Sequence, residues 1–125
     1  MKAGTLKIIS DAMASAKIPY EFGRFNSAIP TQYWVGEYQE TESTTEDGLE
    51  ESTFILTGTC FGTFAELEDA KQKIKKLFPS IGGRVAIEND GSSVAIFYGN
   101  SLMIPSMDND IKRMQINLNV KEWVI

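Results

Sequence analysis

The stretch RMQINLNVK, residues 113–121, alternates between polar and apolar side chains without a break. Its apolar members are Met114, Ile116, Leu118 and Val120, and its polar members are Arg113, Gln115, Asn117, Asn119 and Lys121. A period of two is that of a β-strand with one face in the core and one face in water. The stretch therefore predicts a long strand whose apolar face must be covered by a second layer of structure.

Two further strands are predicted upstream, over residues 33–41 and 52–61. In the second of them Phe54, Leu56 and Cys60 face one way, and Thr53, Ile55, Thr57 and Thr59 face the other. If these strands pair antiparallel, Asp47-Gly48 is the natural turn between them. Residues 37–52 then form a long hairpin arm, and the sequence leaves open whether its tip is a folded hairpin or a loop that orders on contact.

Two helices are predicted from apolar residues at helical spacing. In the first, over residues 4–16, the apolar face is Leu6, Ile9, Met13 and Ala16, and Pro19 prevents continuation. In the second, the apolar stripe is Phe64, Leu67, Ala70, Ile74, Leu77 and Phe78, and Pro79 follows it. Thr63 and Glu66 have the spacing of a capping box at its start. Residues 19–32, with two prolines and three aromatic residues, are interpreted as an ordered connector.

Two more strands are predicted on either side of Asn89-Asp90-Gly91. The predicted order is α-β-β-α-β-β-β, and strands adjacent in sequence favour antiparallel pairing. We therefore expect a single α+β domain over residues 1–125, with a mainly antiparallel sheet and two helices packed on one of its faces.

The composition excludes several classes of function. The chain has 125 residues, one cysteine and no histidine, so histidine-dependent hydrolytic triads and ordinary zinc sites are excluded. No window approaches 18 consecutive apolar residues, and the N-terminal region lacks the continuous apolar stretch of a signal peptide. We expect a protein that is not an enzyme, binds no cofactor or metal, spans no membrane and is not secreted.

Charge is distributed unevenly along the chain. Residues 37–51 contain seven acidic residues and no basic residue, whereas the remainder has ten acidic and twelve basic residues. Residues 37–52 are therefore called the acidic arm. Three interpretations stay open: a solvated hairpin, a contact with a neighbouring chain, or a weak cation site at Glu46, Asp47, Glu50 and Glu51. The contact candidates are Glu42, Glu46, Asp47, Leu49, Glu50 and Glu51 on the arm and Lys71, Lys75, Lys76 and Arg113 on the body.

Three runs in order, YWVGEYQETESTTEDGLEESTFILTG, ELEDAKQKIKKLF and IKRMQINLNVKEW, resemble small tail-assembly proteins of long-tailed phages and prophages. The type they are most similar to is the tail terminator, also described as a minor tail protein. The resemblance covers residues 20–125 as a pattern of elements, without a catalytic signature. It implies an α+β subunit that forms a ring, usually a hexamer, on the head-proximal end of the tail tube. It also implies contacts with tail-tube and head-connector proteins, and DNA only in passage.

The expectation from this resemblance is a virion structural protein that assembles in the host bacterial cytoplasm. A stopper or a tube protein of the same phage neck and tail is an alternative that the sequence does not separate from a terminator. A small cytosolic protein-binding or regulatory domain is the alternative from a different class.

Overall fold

The computed structural model describes residues 1–40, 48–88 and 90–123. The first helix is α1 (Ala3–Ser15), and the first three strands are β1 (Tyr20–Phe22), β2 (Gln32–Glu40) and β3 (Leu49–Cys60). They are followed by helix α2 (Phe64–Leu77) and the strands β4 (Arg84–Ile87), β5 (Ser93–Ile104) and β6 (Lys112–Trp123). The α+β class is confirmed.

The strands form one sheet in the order β1-β2-β3-β6-β5-β4. Neighbouring strands are antiparallel except for β1, which pairs parallel with β2. The stretch that alternates most regularly in the sequence, β6, lies between β3 and β5. Strands that follow each other along the chain are mostly neighbours in the sheet, but β3 and β6 are brought together across α2 and the β4–β5 hairpin.

The core lies between one face of this sheet and the two helices. The predicted inward residues of β6, together with Phe54, Leu56 and Cys60 of β3, are buried there. Ile9 and Met13 of α1 and Leu67 and Ile74 of α2 belong to the same apolar cluster. Full burial of such a side chain contributes about 1.5–3 kcal/mol, so the two-layer arrangement follows from these apolar faces. The helices therefore cover one face, called the helix face, and the opposite face is called the open face.

The connector prediction for residues 19–32 is incomplete because it misses a strand. Tyr20, Glu21 and Phe22 form β1 and lie opposite Trp34, Val35 and Gly36 of β2. The main chain also bonds across this junction, with the Gly23 amide donating to the Gly36 carbonyl at 2.8 Å. Three residues are too few to show a period, so the sequence carries no signal for this strand.

The capping box at the start of α2 is also only half right. Thr63 is the N-cap residue, but its side chain makes no capping hydrogen bond. The Glu66 carboxylate accepts a hydrogen bond from the Cys60 thiol instead, with Sγ and Oε2 2.9 Å apart. The position of the helix start was therefore predicted correctly and the side-chain bonds were not.

The acidic arm begins as the predicted antiparallel pair, with Glu40 opposite Ser52. Its second half is not a free protrusion, because residues 49–52 also pair with β6 from Leu49 opposite Trp123 to Ser52 opposite Val120. The tip of the arm, residues 41–47, lies outside the described residues, and so do Asp47 of one predicted turn and Asn89 of the other.

Candidate functional site

Two of the described acidic residues of the arm, Glu40 and Glu51, form ion pairs within their own chain. The Glu40 carboxylate forms an ion pair with the amino group of Met1. Glu51 lies beside Lys121, with the closest oxygen and nitrogen 3.9 Å apart, and both side chains are well exposed. Exposed pairs of this kind contribute at most about 1 kcal/mol. Glu50 lies opposite Glu122 in the strand register. The candidates Glu42, Glu46 and Asp47 lie outside the described residues.

The basic candidates do not form one surface. Lys71, Lys75 and Lys76 lie on α2, which packs on the helix face, whereas the exposed Arg113 alternates onto the open face. Lys71 pairs with Glu68 at 2.7 Å, and the Lys75 ammonium lies 5.1 Å from the centre of the Tyr98 ring. A partner that binds the lysines and a partner that binds Arg113 would therefore approach the subunit from opposite sides.

Arg113 lines a shallow cavity of about 300 Å³ on the open face, together with Arg24, Glu37 and the hydroxyl residues Thr57 and Thr59. This volume is at the lower limit of small-molecule sites. The cavity has two cationic groups and one carboxylate, but its lining contains no cysteine or histidine.

A polar cluster that sequence reasoning missed connects the start of α1 to the far end of the sheet. The Thr5 hydroxyl lies 2.8 Å from Oε2 of Glu122 and 3.1 Å from Oε1 of Glu88. The Lys2 ammonium donates to Asp90 at 2.6 Å and to Ser92 at 2.8 Å. These residues are far apart in sequence and carry no recognisable spacing, so only the fold brings them together.

The charges and hydrogen bonds of this cluster hold the start of α1 against the sheet. Hydrogen bonds from Lys2 and Ser92 hold the pKa of Asp90 well below its ordinary value. Glu122 is buried, and its Oε1 makes no hydrogen bond among the described residues. No group of three or more possible metal ligands occurs in the described part of the chain. The Lys2 ammonium is the cation that offsets the negative charge of these carboxylates.

Cys60 is buried, as predicted. Burial, and secondarily the hydrogen bond and charge of Glu66, raise the pKa of its thiol to about 11. A thiol that rarely ionises is a poor nucleophile. This microenvironment gives Cys60 a packing role.

Exposed apolar side chains are the second feature that sequence reasoning missed, and they occur in separate places. At the outer edge of the sheet, Val85 and Ile87 of β4 are 65% and 78% exposed. Met103 near the end of β5 and Met107 in the connection between β5 and β6 are also exposed. The alternation of Val85 and Ile87 predicts a strand face, but whether that face is covered depends on the order of strands in the sheet.

No helix in residues 1–40, 48–88 or 90–123 is long and apolar enough to cross a membrane. Comparison of the chain with protein-family models gives no match, and comparison with curated proteins gives none either.

Proposed function

We propose that this chain is a structural subunit of a phage tail, a terminator that forms a ring, caps the tail tube and joins it to the head connector. It assembles in the host bacterial cytoplasm and remains in the virion. The proposal starts from the resemblance to small tail-assembly proteins. The structural observation that carries it is the presence of exposed apolar side chains at more than one place on the subunit.

A ring subunit contacts two neighbours in its ring and other proteins above and below. Such a subunit needs several protein-binding surfaces, and exposed apolar groups at the centre of a surface are what make it favourable to cover. The edge strand β4 offers Val85 and Ile87, and the region where β5 ends offers Met103 of β5 and Met107 of the β5–β6 connection. These two places are well separated, because β4 pairs with the first four residues of β5 and the connection begins after the last one.

Charge supports the same proposal. A ring contact is heterologous, so the two surfaces that meet must differ. The acidic arm carries seven negative charges, and the exposed lysines of α2 lie in another part of the subunit. Opposite charges across a contact set its register and its association rate more than its affinity. Arm residues that face the channel of a ring would also keep DNA from adhering through its phosphates.

The test is electron microscopy of phage tails assembled in cells with and without the chain. Loss of a terminator gives overlong tail tubes and heads without tails, and restoring the chain returns the tubes to one length. Absence of tubes would assign the chain to the tube itself. Tubes of normal length that fail to join heads would assign it to the stopper. Normal virions would contradict all three roles and favour the regulatory binding domain.

A further inference from the structure

The outer edge of β4 lies at one end of the sheet. β4 is the last strand of the sheet order, and among the described residues it pairs with β5 alone. The amide of Glu88, the residue after β4, donates to the Ser92 carbonyl at 2.8 Å. In an antiparallel pair the direction of the main-chain groups alternates from residue to residue. Arg84 and Ala86 therefore bond towards β5, and the main-chain groups of Val85 and Ile87 point away from the sheet.

Protective features that usually block such an edge are absent from β4 itself. Edge strands are commonly protected by proline, bulges or charged side chains. β4 has the sequence RVAI and no bulge in its pairing with β5. Its only charged residue, Arg84, turns towards the helix face, where Nη1 donates to the Leu77 carbonyl at 3.5 Å. What the edge presents on the open face is the two β-branched side chains, Val85 and Ile87.

Both polar and apolar side chains lie inward of this edge on the open face. In the register of the sheet, Ile87 is aligned with Ser93 and Trp123, and Val85 is aligned with Ala95 and Lys121. Trp123 is 36% exposed, and the Lys121 ammonium lies 5.9 Å from the centre of the Phe97 ring. A strand added at the edge would therefore extend a mixed surface, in which Trp123 is apolar and Ser93 and Lys121 are polar.

We propose that the occupant of this edge is the β4 strand of a second copy, paired antiparallel about a two-fold axis at Ala86. In this register Val85 of each copy lies opposite Ile87 of the other, so the residues with outward main-chain groups meet and exchange four hydrogen bonds. Their side chains then pack together on the open face. Arg84 of each copy lies opposite Glu88 of the other, so at both ends a cation meets a carboxylate that also accepts hydrogen bonds from Thr5 and Ser92 of its own chain.

Other registers lose these features. Shifting the axis to Val85 puts Ile87 opposite Gly83 and Arg84 opposite Ala86. Shifting it to Ile87 puts Glu88 opposite Ala86. Only the axis at Ala86 pairs apolar residues with apolar residues and a cation with an anion at the same time.

A two-fold contact uses the same patch on both copies and closes on itself, whereas a ring contact joins two different patches. The β4 pair is therefore a contact of the free chain, and a subunit that uses the β4 edge for another contact in an assembly would have to leave this pair. It follows from the edge strand alone and does not rest on the phage-tail proposal, so either one can fail without the other.

The first test is the mass of the purified chain in sedimentation equilibrium over a concentration series. We expect association to twice the mass of the 13.9 kDa chain. Val85→Lys with Ile87→Lys places like charges opposite each other and should raise the dissociation constant at least about tenfold, a loss of roughly 1.4 kcal/mol. Val85→Lys with Ile87→Glu alters the same exposed positions but places opposite charges together, and should retain the dimer. Ile29→Lys, a change of the same kind at a 64% exposed position between β1 and β2, should also retain it.

The second test is directed at the register. In a Cys60→Ala background, Ala86→Cys places two thiols across the axis at a Cα separation of about 4.5 Å, within the range of a disulfide. Oxidation should give a covalent dimer, whereas Val85→Cys, which lies opposite Ile87, should not. A single-chain mass at every concentration overturns the proposal, and so does equal dimerisation of the two charge variants. A dimer that is cross-linked through Val85→Cys and not through Ala86→Cys overturns the register.

Discussion

At the scale of single residues, Thr5 is a buried polar residue that contacts two carboxylates. Its side chain is fully buried, and its hydroxyl lies within hydrogen-bond distance of the carboxylates of Glu88 and Glu122. Glu122 is itself buried and has few other partners: its Oε2 also accepts from the Lys2 amide at 3.2 Å. One hydroxyl therefore compensates a large part of the cost of burying this carboxylate.

Thr5→Val should destabilise the fold by about 1–3 kcal/mol, because it keeps the shape of the side chain and leaves the buried carboxylates without the hydroxyl. Urea unfolding followed by circular dichroism measures the change. Thr57→Val, on the open face, is the matched control and should change the free energy of unfolding by less than about 0.5 kcal/mol. Equal effects of the two substitutions would show that the Thr5 hydroxyl has no special role.

The hydrogen-bond partner of Glu66 could not be predicted from the sequence. Three residues after Thr63, a glutamate has the spacing of a capping box, and the helix does begin at that place. Its carboxylate nevertheless accepts from the Cys60 thiol, which the end of β3 brings to the same position. Local spacing identifies hydrogen-bond partners that are near in sequence. It does not identify a partner from another element, such as the Cys60 thiol of β3.

At the scale of elements, glycines in the strands leave room for large buried rings. Gly58 of β3 lies opposite Trp34 of β2, and a Cβ at Gly58 would lie 2.6 Å from the indole ring. Trp34 is fully buried, and its Nε1 donates to the Gln32 amide oxygen at 2.9 Å. The ring is therefore held in place and cannot move aside without losing both packing and this hydrogen bond.

Gly58→Ala should destabilise the protein by about 1–3 kcal/mol through overpacking against Trp34. The measurement is thermal unfolding, with tryptophan fluorescence as the probe. Gly62→Ala is the matched control, because the nearest atom to its added methyl is the flexible end of Glu66, at 2.7 Å, and its loss should be smaller. A larger loss at Gly62 than at Gly58 would contradict this account.

The elements that alternate or repeat over many residues were predictable from sequence. The apolar residues of β3, β6 and α2 are buried as their spacing predicts. When one face of an element is buried, its apolar residues recur with the period of that element. β1 was not predictable, since three residues carry no period. The order of strands was not predictable either, because the pairing of β3 with β6 depends on contacts between segments some sixty residues apart.

At the scale of the whole molecule, the sequence indicated a charge asymmetry but not where the fold places the acidic and basic side chains. Glu40 and Glu51 have partners in their own chain, and the basic candidates are divided between the two sides of the sheet. The apolar candidates, above all Val85 and Ile87, were not identified, because an apolar residue is exposed or buried according to what lies next to its strand. Charged residues can be counted in a sequence, whereas a contact surface can be identified only once the fold shows which side chains are exposed together.

The acidic arm gives the last prediction, which concerns assembly. Glu46→Gln with Asp47→Asn removes two negative charges and replaces the Asp-Gly pair with Asn-Gly, which suits the same type of turn. If the arm guides one subunit onto the next, this variant should cap fewer tubes, and tail lengths in electron micrographs should spread upwards, most clearly at low salt, where charges are screened least. Asp11→Asn with Asp69→Asn removes the same charge from exposed helix positions and should leave tail length unchanged. Equal tail-length distributions for the two variants would show that the arm is only a solvated segment.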